Sequence, residues 1–235
     1  MPEHVVVIGG NSGMGRALAA ELVAEGSEVT VAGRSPEKLA AVRRELGVHT
    51  VELDLGREPD IERLFATTGT IDHIVSTAAD VGGAYQPILS YDVTAARGAI
   101  DSKLIGPLLL AKHGAPRLAP GGSIVFTSGI AAYRPGPRAS LLAALNGALA
   151  SLAAALAVEL APLRVNVVSP GWVDTPIWQD VAGSEAPKRL AEMADRLPVG
   201  RIGRPEDIAQ AILALLRNGF ITGTVLHTDG GHRLV

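Results

Sequence analysis

Residues 4–17 constrain this chain more than any other stretch: His4-Val5-Val6-Val7-Ile8-Gly9-Gly10-Asn11-Ser12-Gly13-Met14-Gly15-Arg16-Ala17. Four apolar residues, all β-branched, run straight into a glycine-rich turn, and a periodic alanine and leucine pattern follows to Ala24. A buried strand, a tight turn and a helix start in that order place a pyrophosphate on free helix N–H groups. Gly9 permits the sharp turn, Gly13 permits backbone approach to phosphate, and Gly15 permits close helix–strand packing. Gly10, Asn11, Ser12 and Met14 complete the candidate cradle. The spacing is Gly-x-x-x-Gly-x-Gly, not the commoner Gly-x-Gly-x-x-Gly. An ordinary β–α loop is the alternative, and it does not need glycines in this number.

The same β–α alternation runs through all 235 residues. Strands are expected at 5–9, 28–32, 49–53, 71–77, 122–127, 163–169 and 224–228. Helices are expected at 16–25, 36–46, 58–67, 92–117, 138–160 and 205–217. Such alternation implies a doubly wound Rossmann-type α/β sandwich, a seven-stranded parallel sheet with helices on both faces. One domain over 1–235 is expected, with a substrate lid inserted at about 172–204. That insertion holds both tryptophans beyond a strand end, where α/β proteins build ligand sites.

Composition excludes several classes of function. The chain is 47% hydrophobic but only 3% aromatic, so the core rests on Ala, Val, Leu and Ile. Its net charge of −3, with Arg and Lys scattered, argues against nucleic acid or an anionic membrane as partner. With no cysteine, thiolate catalysis and zinc–thiolate sites are excluded. The six histidines show no metal-ligand spacing, so no metal site is expected. A start that enters a strand directly does not read as a signal peptide, and a cytoplasmic location is expected. The alanine- and leucine-rich run 141–158 contains Asn146 and Ser151 and ends at Glu159. It reads as a buried helix and not a membrane span.

At the end of the second strand a protein that binds NAD usually carries Asp or Glu for the ribose hydroxyls. Here the strand ends in Gly33-Arg34-Ser35. The carboxylate that would repel a 2′-phosphate is missing, and Arg34, with Ser35 or Ser12, can hydrogen-bond one. This pattern favours NADP(H) over NAD(H). The bland reading is a surface arginine at a strand end.

The chain resembles the short-chain dehydrogenase/reductase family over essentially its full length. The first turn is similar to that family's Thr-Gly-x-x-x-Gly-x-Gly, with Ile8 in place of threonine. The resemblance puts Asp54 and Leu55 at the adenine ring. It puts Ser76-Thr77-Ala78-Ala79 where the family has Asn-Asn-Ala-Gly, with Ala78 and Ala79 against the ribose. It puts Pro170, Gly171, Val173 and Thr175 at the nicotinamide carboxamide. Gly203-Arg204-Pro205-Glu206-Asp207 and Asp229-Gly230-Gly231 complete the pattern.

That resemblance also implies carbonyl reduction by hydride transfer, with a tyrosine as proton donor, a lysine four residues later, a serine and an asparagine. Leu142 falls at the tyrosine, Asn146 at the lysine, Gly129 at the serine and Lys103 at the asparagine. Tyr85, Tyr91 and Tyr133 are the only tyrosines, and Leu89, Ala95 and Pro137 stand four residues after them. No Tyr-x-x-x-Lys pair exists, and losing a positioned acid typically costs about 10²–10⁴ in rate.

Lysine and asparagine have exchanged places. Lys103, desolvated by Leu142 and nearby alanines, is therefore the candidate acid or charge stabiliser, and Asn146 the candidate ribose ligand. Ser128 and Tyr133 are the other polar candidates. Read blandly, Lys103 is a solvated helix lysine and Tyr133 a loop aromatic. The expected function is an NADP(H)-dependent oxidoreductase acting on a small, mainly apolar substrate. The alternatives are a catalytically silent NADP(H)-binding sensor or scaffold, and a non-redox catalyst on the same fold. A homodimer or homotetramer through the 139–160 helix is expected.

Overall fold

The computed structural model describes residues 2–78 and 80–235, with the backbone alone at Asp180. The run Val5–Ile8 is wholly buried in β1 (His4–Ile8). It pairs in parallel with β2 (Glu28–Gly33) on one side and with β4 (Ile71–Ser76) on the other. With β3 (His49–Glu52), β5 (Leu118–Thr127), β6 (Arg164–Pro170) and β7 (Val225–Thr228), the sheet order is β3-β2-β1-β4-β5-β6-β7. All the pairings are parallel.

A parallel sheet of continuous apolar strands needs cover on both faces. Val5 and Val7 point to one face, where they meet α1 (Gly13–Ala24), α2 (Pro36–Leu46) and α9 (Pro205–Arg217). Val6 and Ile8 point to the other, where α3 (Glu58–Thr67), α5 (Gly106–Gly114) and α6 (Ser140–Glu159) pack. The period of two in one short strand therefore divides the core into two layers. The order reverses between β1 and β4, which opens a crevice at their carboxyl ends. The expected doubly wound α/β fold is the one observed.

One expected helix differs. The span 92–117 begins as α4 (Val93–Ile100), widens into a π turn over Asp101–Ile105, resumes as α5, and closes in a 3₁₀ turn. In the π turn the Gly106 N–H donates to the Asp101 carbonyl, five residues back. Pro107 supplies the reason, since it has no N–H and its ring would strike the carbonyl of Lys103, four residues earlier. The fifth strand also begins earlier than expected, at Leu118, with a register shift opposite Ile71 and His73.

The segment 172–204 carries α7 (Ile177–Ala182) and α8 (Ala186–Ala194). Trp172 and Trp178 stack at its root with ring centroids 4.4 Å apart, and Trp178 Nε1 donates to the Val173 carbonyl at 2.8 Å. α6 has the length and hydropathy of a membrane span. Leu149, Ala153 and Leu156 nevertheless bury one side of it against the sheet.

Candidate functional site

The crevice beyond β1 is a groove of about 300 Å³. Its floor is the glycine turn. Gly9 has φ +84, and a Cβ there would stand 2.8 Å from the Ala78 amide nitrogen. A Cβ on Gly15 would overlap the Gly9 carbonyl and the Thr77 hydroxyl, so strand, turn and helix close only without a side chain. Ile8, Gly9, Asn11, Ser12, Gly13, Met14, Gly15, Arg34, Ser35, Asp54, Leu55, Ala78 and Thr175 line one continuous wall. Gly10 is not on it, because it faces Val7 and Val31 in the core. Ala79 lies outside the described residues.

At the β2 end, Arg34, Ser35 and Lys38 line the groove. The Ser35 hydroxyl caps α2 by accepting from the Lys38 N–H at 3.3 Å. Opposite them, Asp54 Oδ1 accepts from the Gly56 N–H at 3.0 Å, so this acid also closes its own loop. Four polar residues that sequence reasoning did not single out line the wall: Lys38, Thr77, Asp80 and Ser102. Thr77 Oγ1 donates to the Ile8 carbonyl at 3.1 Å and locks the β4 end to β1.

The chemical candidates gather around the end of β5. Lys103 lies inside the π turn and is only 6% exposed. Its Nζ donates to the Thr127 carbonyl at 3.2 Å. Burial pushes the ammonium down from 10.5 to about 8, because taking the charge out of water disfavours it. The solvated reading of Lys103 therefore fails. Leu142 sits in an apolar cluster with Ala99, Ala131 and Leu145, which Ile100 and Leu104 on either side of Lys103 join.

Asn146 is 2% exposed, and its Oδ1 has no hydrogen-bond partner. A Cβ on Gly129 would lie 3.1 Å from Asn146 Nδ2, so these two positions face each other. Ser128 is committed elsewhere, because its buried hydroxyl donates to the Asn146 carbonyl at 2.9 Å. Both residues address Asn146 because the chain is already turning off the strand.

Several expected residues stand away from the groove wall, the buried Lys103, Ser128 and Asn146 among them. Tyr133 packs edge-on against the His227 ring at 4.5 Å between centroids, so it behaves as a loop aromatic. The Val173 side chain is in the core, and its carbonyl is taken by Trp178. Gly171 lies against the Asp229 backbone, and Pro170 ends β6. Glu58, Glu62 and His113 bring ligand atoms within 4.8 Å of one another at the surface. Lys112 and His113 both bind Glu58 Oε1, at 2.6 and 2.9 Å, so that cluster is already an ion-pair network.

A nicotinamide dinucleotide fits this donor set. Gly9, Gly13 and Gly15 bring backbone without side chains to the groove wall, as close phosphate approach requires, and off that wall the buried Asn146 Oδ1 is an acceptor without a donor. Comparison with known proteins agrees. The family model for Enoyl-(Acyl carrier protein) reductase matches residues 8–233. The chain is 35% identical to the short-chain dehydrogenase/reductase malC of Malbranchea aurantiaca, over 97% of this chain and 94% of that one. The solved MalC Reductase/Diels-Alderase from that organism superposes with TM-score 0.92 at 34% identity, covering 100% of this chain and 96% of that one. A small-chain dehydrogenase solved in complex with NADPH gives TM-score 0.84 at 34% identity, with full coverage of both chains.

Proposed function

This chain belongs to the short-chain dehydrogenase/reductase family, and on that premise we propose that it is an NADP(H)-dependent oxidoreductase whose proton donor is Lys103. The observation that carries this reading is the buried ammonium at the end of β5, held by the Thr127 carbonyl at 3.2 Å. A bound nicotinamide supplies the hydride. The chain supplies the rest. Arg34, Ser35 and Lys38 meet the 2′-phosphate, the 9–15 turn the pyrophosphate, and Asn146 Oδ1 a ribose hydroxyl. Lys103 Nζ keeps a proton at neutral pH, yet releases it far more readily than a lysine in water.

The substrate in this reading is small and mainly apolar. Pro176 and Ile177 line the groove, so the root of the lid offers hydrocarbon there. A substrate whose reduction develops negative charge that one weak acid can quench, such as an activated alkene or a very specific carbonyl, suits a lysine donor, whereas an iminium takes the hydride with no proton and would make Lys103 dispensable. The chain pairs into a homodimer or homotetramer through α6, where Ala144, Ser151 and Ala155 form an exposed stripe of small residues.

One observation favours a second reading, non-redox catalysis with the nucleotide held structurally. Leu142 makes the tyrosine position apolar, and MalC is named both a reductase and a Diels-Alderase. NADPH titration by fluorescence, then NADPH consumption against carbonyls, iminium ions and enones, separates the two. In the redox reading Lys103→Met lowers kcat by about 10²–10⁴ while NADPH affinity is little changed. Wild-type turnover then falls as pH rises through about 8. Unchanged turnover in the variant refutes the lysine. Binding without consumption of NADPH on any class refutes the redox reading.

A further inference from the structure

The groove is crossed by an ion pair. Arg34 follows β2 and Asp80 follows β4, and these two strands flank β1, so Arg34 Nη1 and Asp80 Oδ2 meet at 2.9 Å across the glycine turn. Both residues line the groove. Asp80 is held from behind. Its N–H donates to Ser102 Oγ at 3.1 Å, and its Oδ1 accepts from the Gly82 N–H at 3.2 Å. Ser102 lies in the π turn beside Lys103. Ser102 therefore holds the Asp80 backbone and Gly82 one carboxylate oxygen, which leaves the other oxygen facing the guanidinium that the proposed NADP(H) reading assigns to the 2′-phosphate.

We infer that Asp80 is a specificity-determining residue for the coenzyme, a built-in competitor that occupies Arg34 and limits how tightly a 2′-phosphate is held. This inference rests on that reading. The pair is exposed, with side chains 60% and 47% accessible, so it opens easily. A phosphate monoester carries close to two charges at neutral pH and displaces a carboxylate with one. The displaced Asp80 stays near by, because Ser102 and Gly82 hold it, and it continues to repel the phosphate. A coenzyme with a 2′-hydroxyl brings no charge and leaves the pair closed. Removing the Asp80 charge therefore favours the phosphorylated coenzyme selectively.

The test uses Asp80→Asn, which keeps the Oδ1 acceptor for the Gly82 N–H and removes only the charge. Affinities for NADPH and NADH are measured by fluorescence titration. The expected result is NADPH binding about fivefold tighter, the upper range for releasing an exposed pair, with NADH affinity little changed. In an Arg34→Ala background the same substitution loses most of that gain. If Asn disturbs the loop, Asp80→Ser keeps an acceptor on a shorter side chain and gives the same readout. Equal tightening of both coenzymes, weaker NADPH binding, or an undiminished gain without Arg34 would overturn the inference while leaving the proposed function standing. Wild-type protein that binds neither coenzyme would overturn both.

Discussion

Acid is expected to destabilise this fold through desolvated histidines, most of all His73 at the far end of the sheet from the groove. His73 on β4 is 6% exposed, and its Nδ1 pairs with Ser123 Oγ on β5 at 2.9 Å. Burial, and then the charge of Arg164, lower its pKa from 6.5 to about 4. The folded chain thus refuses a proton that the unfolded chain accepts. Between pH 6.5 and about 4 the unfolded state binds more protons, so stability falls as pH falls through that window. Above 6.5 the effect vanishes, and below about 4 it levels off. At roughly 1.4 kcal/mol per pH unit, the whole loss is about 3 kcal/mol, a large share of the ordinary stability of a domain. Urea unfolding from pH 7 to pH 4 measures it, with His73→Asn as the reference that cannot titrate. Other groups titrate alike in both proteins, Asp207 near 2 among them, and cancel in the difference. The variant is less stable at pH 7, and the gap closes as pH falls. A gap that stays constant over the window refutes the argument.

Two further outcomes test the groove and the assembly. Gly15→Ala forces a methyl group onto the Gly9 carbonyl and Thr77. It should lower stability by about 1–3 kcal/mol and weaken NADPH binding, read by thermal melting and fluorescence titration. Ala155→Arg places a charge on the exposed stripe of α6 without touching the core. It should convert the oligomer to monomer in sedimentation with the fold intact by circular dichroism, and an unchanged sedimentation coefficient sinks the α6 interface.

The groove at the glycine turn was legible because most of its determinants are local. Strand, glycine turn and helix lie within one short segment, and the steric demands on Gly9 and Gly15 come from residues the strand order brings together in any parallel β–α–β arrangement. Arg34 was readable for the same reason, as the first residue after a strand. Its partner was not. Asp80 lies 46 residues away in sequence, and only the β2-β1-β4 order brings the two together. The commitment of Ser128 to the Asn146 carbonyl was likewise hidden, since it depends on where β5 stops being extended. The pairing of His73 with Ser123 needs the register of β4 against β5, which a shift near Ile71 makes unreadable from spacing alone.

The exchange of lysine and asparagine expected from the family resemblance acquires a physical basis from the π turn. A lysine on α6 would come from a regular helix. Moved to position 103, it comes from a helix that Pro107 prevents from being regular, and the widened turn sets the side chain at the end of β5 with little access to water. Among the described residues its ammonium makes a single hydrogen bond, to a carbonyl that bears no net charge. Three N–H donors, one of them used, and no carboxylate partner leave a buried cation incompletely satisfied. Such a group gains most from an oxygen or carbanion that develops negative charge beside it, because the low-dielectric surroundings that lower its pKa also strengthen that attraction. In the proposed reaction, the burial that makes Lys103 costly to the fold is also what would let it stabilise charge.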